Sequence, residues 1–457
     1  MKKSLNLLTG LFLFSISCIV FHSCQKEIGN TTFNKLELQS SANAQGQINN
    51  SENASAEVVI DWYKLQLRII LNANPPYSPL RAARIFAYEG IGLYEAVRHG
   101  IENSVSLSER LYQMPAMPEP ENNNGYSWAI AANAALAKMV KTFFPNLTTQ
   151  NIASIDSLEN AYNEKLNPNS NSEVFRRSQD FGRAIAQAVF NWSLTDGDNQ
   201  TNTGYVPPVF PGSWVPTPPA FASAFCPYLG TSNRPFLEEH KTAVFPAFPF
   251  QYSTDPGSDF YKMVKDIYDV SQTLTTDQIN IALFWVDAGV GRGYTGLGHT
   301  ISIINQLLEK ENASLATAAI ALAKTCIAAW DAFIIFFKAK YTYNLVRPVT
   351  FVQQYISPGW LPLIATPPHP EYPAAHATTL AEMEALSSVF GHNYAFTDHT
   401  YDFLGYPARN YSSLNAAGVE AGISRRYGGI HYLPSIEIGL VLAKQVGTNV
   451  ANIQLVE

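Results

Sequence analysis

Three short segments in the C-terminal part of the chain hold an unusual concentration of basic residues and histidines. They are K-Y-T-Y-N-L-V-R-P (Lys340 to Pro348), H-P-E-Y-P-A-A-H (His369 to His376) and S-R-R-Y-G-G-I-H (Ser424 to His431). Together they contain three arginines, one lysine and three histidines, although only 15% of the chain is charged. Because such side chains bind and protonate oxygen anions, a tetrahedral oxyanion is the predicted common ligand.

Lys340 and Arg347 are seven residues apart, about two helical turns. On one continuous helix both side chains would project from the same face, about 10 Å apart along the axis. Pro348 disfavours helical backbone at Arg347, so we expect the arginine where that helix ends. The alternative for this pair alone is a solvated lysine and arginine at a helix end.

His376 directly precedes a helical pattern of apolar residues that stops at Gly391. Ala375 and His376 are therefore expected in the first turn of a helix, where free N–H groups and the helix dipole favour an anion. A histidine there can act as a general acid or base near neutral pH. His369 is expected in the preceding loop. For either histidine alone, a structural ring at a helix end is the alternative.

Arg425 and His431 share the third segment. Arginine offers a planar fork that suits an oxyanion, and a neutral histidine offers a nitrogen as ligand or nucleophile. Gly428 and Gly429 between them would let the backbone approach closely.

These motifs carry a family resemblance. In this order, K-x6-R-P, P-x-x-H and S-R-x5-H resemble the signature of the type 2 phosphatidic acid phosphatase superfamily, which includes vanadium-dependent haloperoxidases and bacterial acid phosphatases. Upstream, W-V-P-T-P-P from Trp214, F-W-V-D from Phe284 and W-D-A-F from Trp330 resemble the bacterial haloperoxidase-like branch. The resemblance covers most of residues 58–457.

The resemblance implies an anion site that binds vanadate, or phosphate in its place. Lys340, Arg347 and Arg425 would hold the equatorial oxygens, and Ala375 would supply a backbone N–H. In the haloperoxidase branch His431 would be the apical ligand of vanadium. Vanadate suits a phosphatase-type site because it resembles the five-coordinate phosphoryl transition state.

The resemblance also implies roles in the reaction. His376 would be the acid–base residue, Lys340 would polarise hydrogen peroxide, and halide would attack to give a hypohalous acid. In the phosphatase branch His431 would attack phosphorus and His376 would protonate the leaving alkoxide. Asp287 would orient Arg425 or Lys340. His369 stands where bromoperoxidases of this family tend to carry histidine, which favours bromide or iodide over chloride.

Two positions depart from the family pattern. P-S-G-H is P-A-A-H here, so Ala374 lacks a hydroxyl worth about 1.5–3 kcal/mol toward a charged group, and Ala375 adds a methyl group. Many members have an acid four residues after the last histidine, to fix its tautomer. Ser435 stands there, and Glu437 is the expected substitute only where the local backbone allows it. An altered or inactive site is therefore an alternative.

The elements that must position these residues are helices. Helical spacing of apolar residues begins at about Val58 and recurs along the chain, whereas no region shows convincing strand alternation. Ala313 to Lys340 reads as one long helix that is apolar almost all round; Lys324 and Asp331 favour a buried core helix over a membrane span. We predict an all-α fold, a large helical bundle or two packed bundles of the vanadium haloperoxidase and acid phosphatase type.

Five regions are expected along the chain. Residues 1–24 resemble a lipoprotein-type signal peptide, 25–56 a flexible tether, and 57–200 an N-terminal helical part. Residues 201–257 form a proline- and aromatic-rich irregular segment, which either lines the mouth of the site or packs outside two helix groups. Residues 258–457 form the C-terminal helical part that carries the anion site.

The N-terminus predicts export. Two lysines and an apolar run precede Cys24, the favoured lipidation site, with Cys18 as its rival. One lipid would anchor the protein at a bacterial membrane, on the periplasmic or cell-surface side, without spanning it. Cys226 and Cys326 remain, and two buried free thiols are favoured over a disulfide.

Composition limits the partners. The net charge is −7 and no long basic run is present, which argues against nucleic acid as a partner. Hydrogen peroxide with halide, or a phosphate ester, are the expected substrates, and a homodimer is an open alternative. The sequence thus favours a haloperoxidase-like enzyme, with an acid phosphatase working through a phosphohistidine, or a lipid-anchored binding protein with a degenerate site, as alternatives.

Overall fold

Helices make up nearly all the regular structure in the computed structural model, which describes residues 50–121, 125–167, 173–198, 204–238, 242–289 and 293–457. The described ranges contain fourteen α-helices: α1 (Glu57–Leu71), α2 (Pro79–Val97), α3 (Trp128–Phe143), α4 (Thr149–Leu166), α5 (Glu173–Ser193), α6 (Leu229–Ser232), α7 (Asp259–Ser271), α8 (Thr276–Phe284), α9 (Gly296–Lys310), α10 (Leu315–Tyr343), α11 (Pro348–Tyr355), α12 (Thr378–Phe390), α13 (Leu414–Tyr427) and α14 (Leu433–Ala451). Within them, the strands are β1 (Phe396–Asp398) and β2 (Arg409–Tyr411), an antiparallel pair. The predicted all-α fold class is confirmed.

Helix α10 is the central helix of the fold. It begins at the N-cap Ser314, whose side chain accepts a hydrogen bond from the Thr317 N–H. It packs against α2, α12 and α14. By length and composition alone it could cross a membrane, but 94% of its most apolar 18-residue window is buried inside the protein. Burial on all sides explains its nearly continuous apolar surface.

Helix α10 carries charged residues that the fold satisfies. The Lys324 ammonium donates to the Ala451 carbonyl at 2.7 Å. The fully buried Asp331 carboxylate accepts from the backbone N–H groups of Phe236 and Leu237, at 2.6 and 2.8 Å. Both side chains therefore act as caps for backbone groups of neighbouring segments.

The proline-rich segment wraps around the region that carries the anion-site motifs. In its described parts only the four-residue helix α6 interrupts the irregular backbone up to residue 257. Its backbone hydrogen bonds reach the site segments directly: Trp214 N–H to Asn344 O at 2.7 Å, Val346 N–H to Gly212 O at 2.9 Å, and Phe225 N–H to Pro368 O at 2.8 Å. The segment therefore helps to hold the backbone on both sides of Arg347.

The N-terminal boundary differs from the expected tether. The signal peptide at 1–24 and residues 25–49 of the tether lie outside the described residues. Ser51, however, is fully buried, and its hydroxyl donates to the Val97 carbonyl at 2.9 Å. The Leu315 N–H also donates to the Ala54 carbonyl at 2.7 Å. Extending the tether to residue 56 was therefore wrong, because residues 51–56 pack on the helices.

Cys226 and Cys326, the two cysteines outside the predicted signal segment, are not joined in a disulfide. Cys326 is buried in α10, as expected, and burial raises the pKa of its thiol well above the ordinary value. Cys226 is only half-buried, so the expectation that both thiols are buried holds for Cys326 alone.

Candidate functional site

Lys340 and Arg347 are separated by the end of α10. Asn344 caps the helix in the left-handed conformation, with φ of 48°. Arg347 is extended and directly precedes α11, in which Pro348 is the first residue. The two side chains therefore do not share one helix face, and the spacing of two turns does not apply. Arg347 reaches the site from the start of the next helix.

The Lys340 ammonium is fully buried and held by backbone carbonyls. It donates to Pro370 O at 3.0 Å, to Glu371 O at 2.9 Å and to Pro373 O. Burial and the nearby Arg347 charge lower the pKa of Lys340 well below its ordinary value. Three carbonyl acceptors match the three hydrogens of an ammonium group, which favours the charged form. Lys340 thus joins α10 to the loop before His376.

The Arg347 guanidinium contacts residues of both other sequence segments. Its Nε donates to the His369 carbonyl at 2.8 Å, and its two terminal nitrogens lie 3.1 Å from His431 Nε2 and 3.0 Å from His369 Nδ1. The residue is fully buried, which lowers the pKa of its guanidinium to about 10. Because arginine is always a donor, the His431 nitrogen that faces it is an acceptor. His369 Nδ1 also lies 3.2 Å from the Pro370 carbonyl, an acceptor.

His431 is a neutral histidine with a defined tautomer. Its Nδ1 lies 2.8 Å from Glu371 Oε1, a carboxylate acceptor, while its Nε2 faces Arg347. The proton is therefore on Nδ1 and the lone pair on Nε2. Burial lowers the pKa of His431 well below its ordinary value, and the Arg347 and Lys340 charges lower it further. Such an imidazole can serve as a ligand or a nucleophile through Nε2.

Glu371 is a site residue that the sequence interpretation missed. Its carboxylate also accepts from the Tyr432 N–H at 2.9 Å, and it is fully buried. Burial raises the pKa of this carboxyl to about 7, against the opposing charges of Lys340 and Arg347. Glu437, the expected substitute for the missing acid at Ser435, is exposed to solvent. The available signal was an acid placed between the two histidines of H-P-E-Y-P-A-A-H.

Ala375 and His376 begin a short 3-10 helix, Ala375–Ala377, which leads into α12. They therefore lie in a first helical turn, one element earlier than expected. His376 Nε2 is buried and makes no hydrogen bond of good geometry within the part of the chain that the structure describes, although backbone carbonyls of Val286 and Trp285 beside the ring favour its protonated form. Burial and then the charge of Arg425 lower the pKa of His376 well below its ordinary value. The neighbouring Ala374 is fully buried, and its N–H donates to the Ser435 carbonyl at 3.3 Å.

Arg425 lies in the last turn of α13 and is almost fully buried. Its Nε donates to the Ser424 hydroxyl at 3.0 Å, and a terminal nitrogen donates to the Trp285 carbonyl. Burial lowers the pKa of Arg425 to about 10, with the Asp287 charge opposing the change. The Arg425 charge in turn lowers the pKa values of both His376 and His431. The three sequence segments therefore meet in one buried region.

Asp287 was expected to orient Arg425 or Lys340, but its hydrogen bonds go elsewhere. It accepts from Tyr401 and lies 3.0 Å from His299 Nδ1, while His299 Nε2 lies 2.8 Å from Asp398. His299 is fully buried between the two carboxylates and stacks on the Trp285 ring, with centroids 4.4 Å apart. Asp287 therefore acts on Arg425 only through its charge.

His369 lines the site through its contact with Arg347. Its ring packs on that of Phe337, with centroids 5.3 Å apart, and it is 6% exposed. Burial lowers the pKa of His369 well below its ordinary value, and the charges of Lys340 and Arg347 act in the same direction. At neutral pH the ring is uncharged and adds no positive charge to the site.

The glycines before His431 serve packing against a neighbouring loop. Gly429 has φ of 78°, and a Cβ there would approach Pro362 to 3.0 Å. A Cβ on Gly428 would meet Ile364 at 2.6 Å. The close approach of the backbone that the glycines were expected to allow is therefore made to residues 360–364.

The charge balance of the region is positive. Lys340, Arg347 and Arg425 are three buried cations. The carboxylate that contacts the residues of this site is that of Glu371, which lies against His431 Nδ1. Buried charges are costly unless they are paired, and the remaining positive charge is best offset by an anion. The geometry thus favours a bound oxyanion, with neutral His431 and His376 available for bonding and proton transfer.

Comparisons with known proteins agree with this geometry. A family model described as the VCPO second helical-bundle domain matches residues 320–455, which include all three motifs. A solved bacterial vanadium-dependent iodoperoxidase is similar with a TM-score of 0.80 and 32% sequence identity, over 88% of this chain and 98% of that chain. No curated protein sequence gives a significant match.

Two solved structures of bacterial vanadium-dependent chloroperoxidase, holo-type and apo-type, are more distant. Their TM-scores are 0.63 and 0.60 at 16% and 17% identity, over 84% and 81% of this chain and 94% and 91% of theirs. They support the fold alone. The iodoperoxidase is similar over nearly its whole length at higher identity, so the chain belongs to the vanadium haloperoxidase-like family.

Proposed function

We propose that this protein is a vanadate-dependent haloperoxidase that oxidises halide with hydrogen peroxide, with bromide or iodide preferred to chloride. The observation that carries the proposal is the buried cluster of Lys340, Arg347 and Arg425 beside neutral His431. Three buried cations with one contacting carboxylate need an anionic partner. The likeness to a bacterial vanadium-dependent iodoperoxidase supports vanadate as that partner.

The donor set fits vanadate. Lys340, Arg347 and Arg425 would offset its negative charge, and His431 would hold it through Nε2. The Nε2 lone pair accepts from Arg347 in this structure, so this hydrogen bond would be exchanged for the bond to vanadate. The buried His376 Nε2, which makes no hydrogen bond of good geometry among the described residues, would face the same group. When bound, vanadate supplies a Lewis acid that activates peroxide toward halide.

The residues of the chain supply binding and proton transfer. The overall reaction, X⁻ + H₂O₂ + H⁺ → HOX + H₂O, consumes one proton as the peroxide O–O bond breaks and the halogen–oxygen bond forms. His376 Nε2 is the candidate that takes and returns this proton. Burial and the Arg425 charge keep the pKa of His376 low. An anion in the site would raise that pKa toward neutrality, because an opposite charge favours the imidazolium.

The halide preference rests on His369. Its Nδ1 lies 3.0 Å from an Arg347 nitrogen and 3.2 Å from the Pro370 carbonyl, and protonation at Nε2 would offer a donor to halide. The similar structure of an iodoperoxidase agrees with a preference for the larger, more easily oxidised halides. Replacing His369 with Phe should lower turnover of bromide and iodide relative to wild type.

The function can be tested with the purified protein, orthovanadate, hydrogen peroxide and each halide in turn, by halogenation of a phenol dye. Activity should require vanadate and should fall at least about 100-fold in His431→Ala, which removes the bonding nitrogen. His399→Ala is a matched control, because His399 is exposed and paired with Asp402. Vanadate-independent dye halogenation, or an unchanged rate in His431→Ala, would contradict the proposal.

A phosphatase is the second candidate, favoured by the same lone pair on His431 Nε2. A neutral imidazole oriented by a carboxylate is a competent nucleophile toward phosphorus. Hydrolysis of p-nitrophenyl phosphate without vanadate, and its inhibition by vanadate, would support this candidate. Inactivity toward halides and phosphate esters after vanadate loading would instead support a degenerate anion-binding protein.

We also propose that the protein is exported and lipid-anchored through Cys24. The proposal is supported by the apolar run and the polar segment that follows the cysteine. Labelling with a fatty-acid analogue should mark the wild-type chain but not Cys24→Ser. Loss of label in Cys18→Ser instead would identify the rival site.

A further inference from the structure

One residue connects two of the anion-binding side chains. The Glu371 backbone carbonyl accepts from the Lys340 ammonium at 2.9 Å. Its carboxylate lies 2.8 Å from His431 Nδ1 and accepts from the Tyr432 N–H at 2.9 Å. The residue is fully buried, so these contacts are shielded from water. Glu371 therefore contacts Lys340 and His431, two of the residues that would hold the anion.

The position where the family resemblance places an acid is next to this carboxylate. Ser435 is four residues after His431 and fully buried, and its hydroxyl beside Glu371 lowers the pKa of that carboxyl. The carboxylate therefore reaches His431 from the loop before α12, while the start of α14 provides only a hydroxyl. The acid thus comes from a different sequence position than in the family pattern, but it lies beside the same histidine.

We propose that Glu371 is the positioning residue of the anion site, and that its carboxylate holds His431 with Nδ1 protonated and Nε2 turned toward the bound oxyanion. This inference rests on the proposed oxyanion site. Because the chain departs from the family pattern at Ala374, Ala375 and Ser435, the cations and the oriented imidazole would bind the anion.

The tautomer of His431 depends on the contacts of both ring nitrogens. Arg347 can only donate, so a hydrogen on His431 Nε2 would place two donors 3.1 Å apart. On the other side, the Glu371 carboxylate is an acceptor for the Nδ1 hydrogen. Removing the carboxylate would leave the Nδ1 hydrogen without an acceptor in a buried site, which favours ring rotation or the other tautomer.

Vanadate binding provides the main test. Equilibrium dialysis with orthovanadate should show affinity about 10–100-fold weaker for Glu371→Ala than for wild type. Glu371→Gln keeps an acceptor oxygen without the charge, so its loss should be intermediate. In Glu371→Ala/Ser435→Asp the acid is returned to α14, and most of the lost affinity should be recovered.

A matched control uses another buried carboxylate. Glu384 lies in the middle of α12, is 6% exposed, and accepts from the Asn415 amide and the Thr448 hydroxyl. Glu384→Gln should bind vanadate as wild type does. An equal loss in this variant would show that the effect of Glu371 is a general consequence of altering a buried acid.

A second measurement separates this inference from the proposed function. ¹⁵N NMR of histidine side chains reports which ring nitrogen carries hydrogen, with His431→Ala used for assignment. We expect Nδ1–H for His431 in wild type and a changed signal in Glu371→Ala. Protein that binds no vanadate or phosphate would refute the proposed function, and the NMR result would still decide the role of Glu371.

The His431 signal and the recovery of affinity in the double variant are readouts that a purely structural role of Glu371 would not change. Unchanged affinity and an unchanged His431 signal in the Glu371 variants would overturn the inference. Where Glu371→Ala fails to fold by circular dichroism, Glu371→Gln and the double variant provide the decision.

Discussion

Two buried histidines in this protein differ in charge: His299 is a cation and His431 is neutral. His299 lies between the carboxylates of Asp287 and Asp398, whereas His431 lies among Lys340 and Arg347. Burial alone lowers both pKa values, but the two carboxylates outweigh it and raise the pKa of His299 to about 10. At His431 the cations reinforce burial. The neighbouring charges therefore decide whether a buried histidine is a cation or a neutral base.

The difference distinguishes a cluster whose histidine is paired with protein carboxylates on both ring nitrogens from a cluster that needs a ligand. His299 satisfies both ring nitrogens with protein carboxylates, so the cluster of Asp287, His299 and Asp398 is complete without any other group. The cluster around His431 has three cations and one contacting carboxylate. We interpret the first as a structural support and the second as a binding site.

Trp285 connects the two clusters. Its ring stacks on His299 and its carbonyl accepts from Arg425. The structural cluster therefore holds one of the anion-binding arginines in place through this tryptophan. The following changes test how far the two clusters are independent, beginning with the largest expected effect.

The largest effect is expected on stability, from His299→Ala. This change leaves two buried carboxylates without their cation and should lower the free energy of unfolding by about 3–5 kcal/mol. Urea unfolding followed by circular dichroism measures the loss. His399→Ala is the control, because its partner Asp402 and the histidine are both 55% exposed. A loss in His299→Ala no larger than that of the control would show that the cluster is not a structural support.

A smaller effect, on binding, is expected for Lys340→Met. Removing a buried charge beside the anion should weaken vanadate binding by about 2–5 kcal/mol. Stability should also fall, because the buried carbonyls of Pro370, Glu371 and Pro373 lose their donor. Lys324→Met is the control on the same helix, since Lys324 donates to the Ala451 carbonyl outside the site. Equal binding by both variants would exclude Lys340 from the anion site.

The third test follows the pH dependence of stability. The folded pKa of His299, about 10, is higher than the ordinary value of 6.5, so His299 stabilises the fold fully below pH 6.5. This stabilisation is lost progressively as the pH rises through about 10. Urea unfolding between these limits should show a steeper alkaline loss in wild type than in His299→Asn. Parallel curves would indicate that His299 is neutral in the fold.

The smallest effect is expected from Ala374→Ser. A hydroxyl at this buried position would add one hydrogen bond to the anion, worth at most about 1.5–3 kcal/mol, so vanadate should bind more tightly. Equilibrium dialysis measures the change, and Ala377→Ser, farther into the 3-10 helix, is the control. Unchanged affinity would mean that position 374 does not face the anion.

The fold could be predicted from the sequence because local chemistry decides the helices. The N-cap Ser314 and the apolar run after it specify α10, and Pro79 and Pro348 mark the starts of α2 and α11. The end of α10 was harder to predict, because Asn344 in the left-handed conformation stops the helix within a continuing apolar pattern. The sequence left open whether Lys340 and Arg347 share a helix face, and the cap at Asn344 shows that they do not.

The candidate site was predictable in its residues but not in its contacts. The three motifs identify side chains that meet in the structure, yet Glu371 was missed because its partner His431 lies 60 residues away. Asp287 was named, but its partners His299 and Tyr401 lie 12 and 114 residues away along the chain and no local pattern connects them. Pairing across the fold depends on tertiary packing, which spacing within one segment does not encode.

The charges buried in α10 have a consequence for biogenesis. During the export that we propose, this helix passes a translocon as an unfolded segment with the length and composition of a membrane span. Asp331 lies near its middle, and a charge at the centre of an inserting helix costs about 2.5–3.5 kcal/mol. Lys324 adds a second penalty in the same helix. The two residues that cap backbone groups in the folded protein would therefore also oppose lateral release of the nascent helix into lipid.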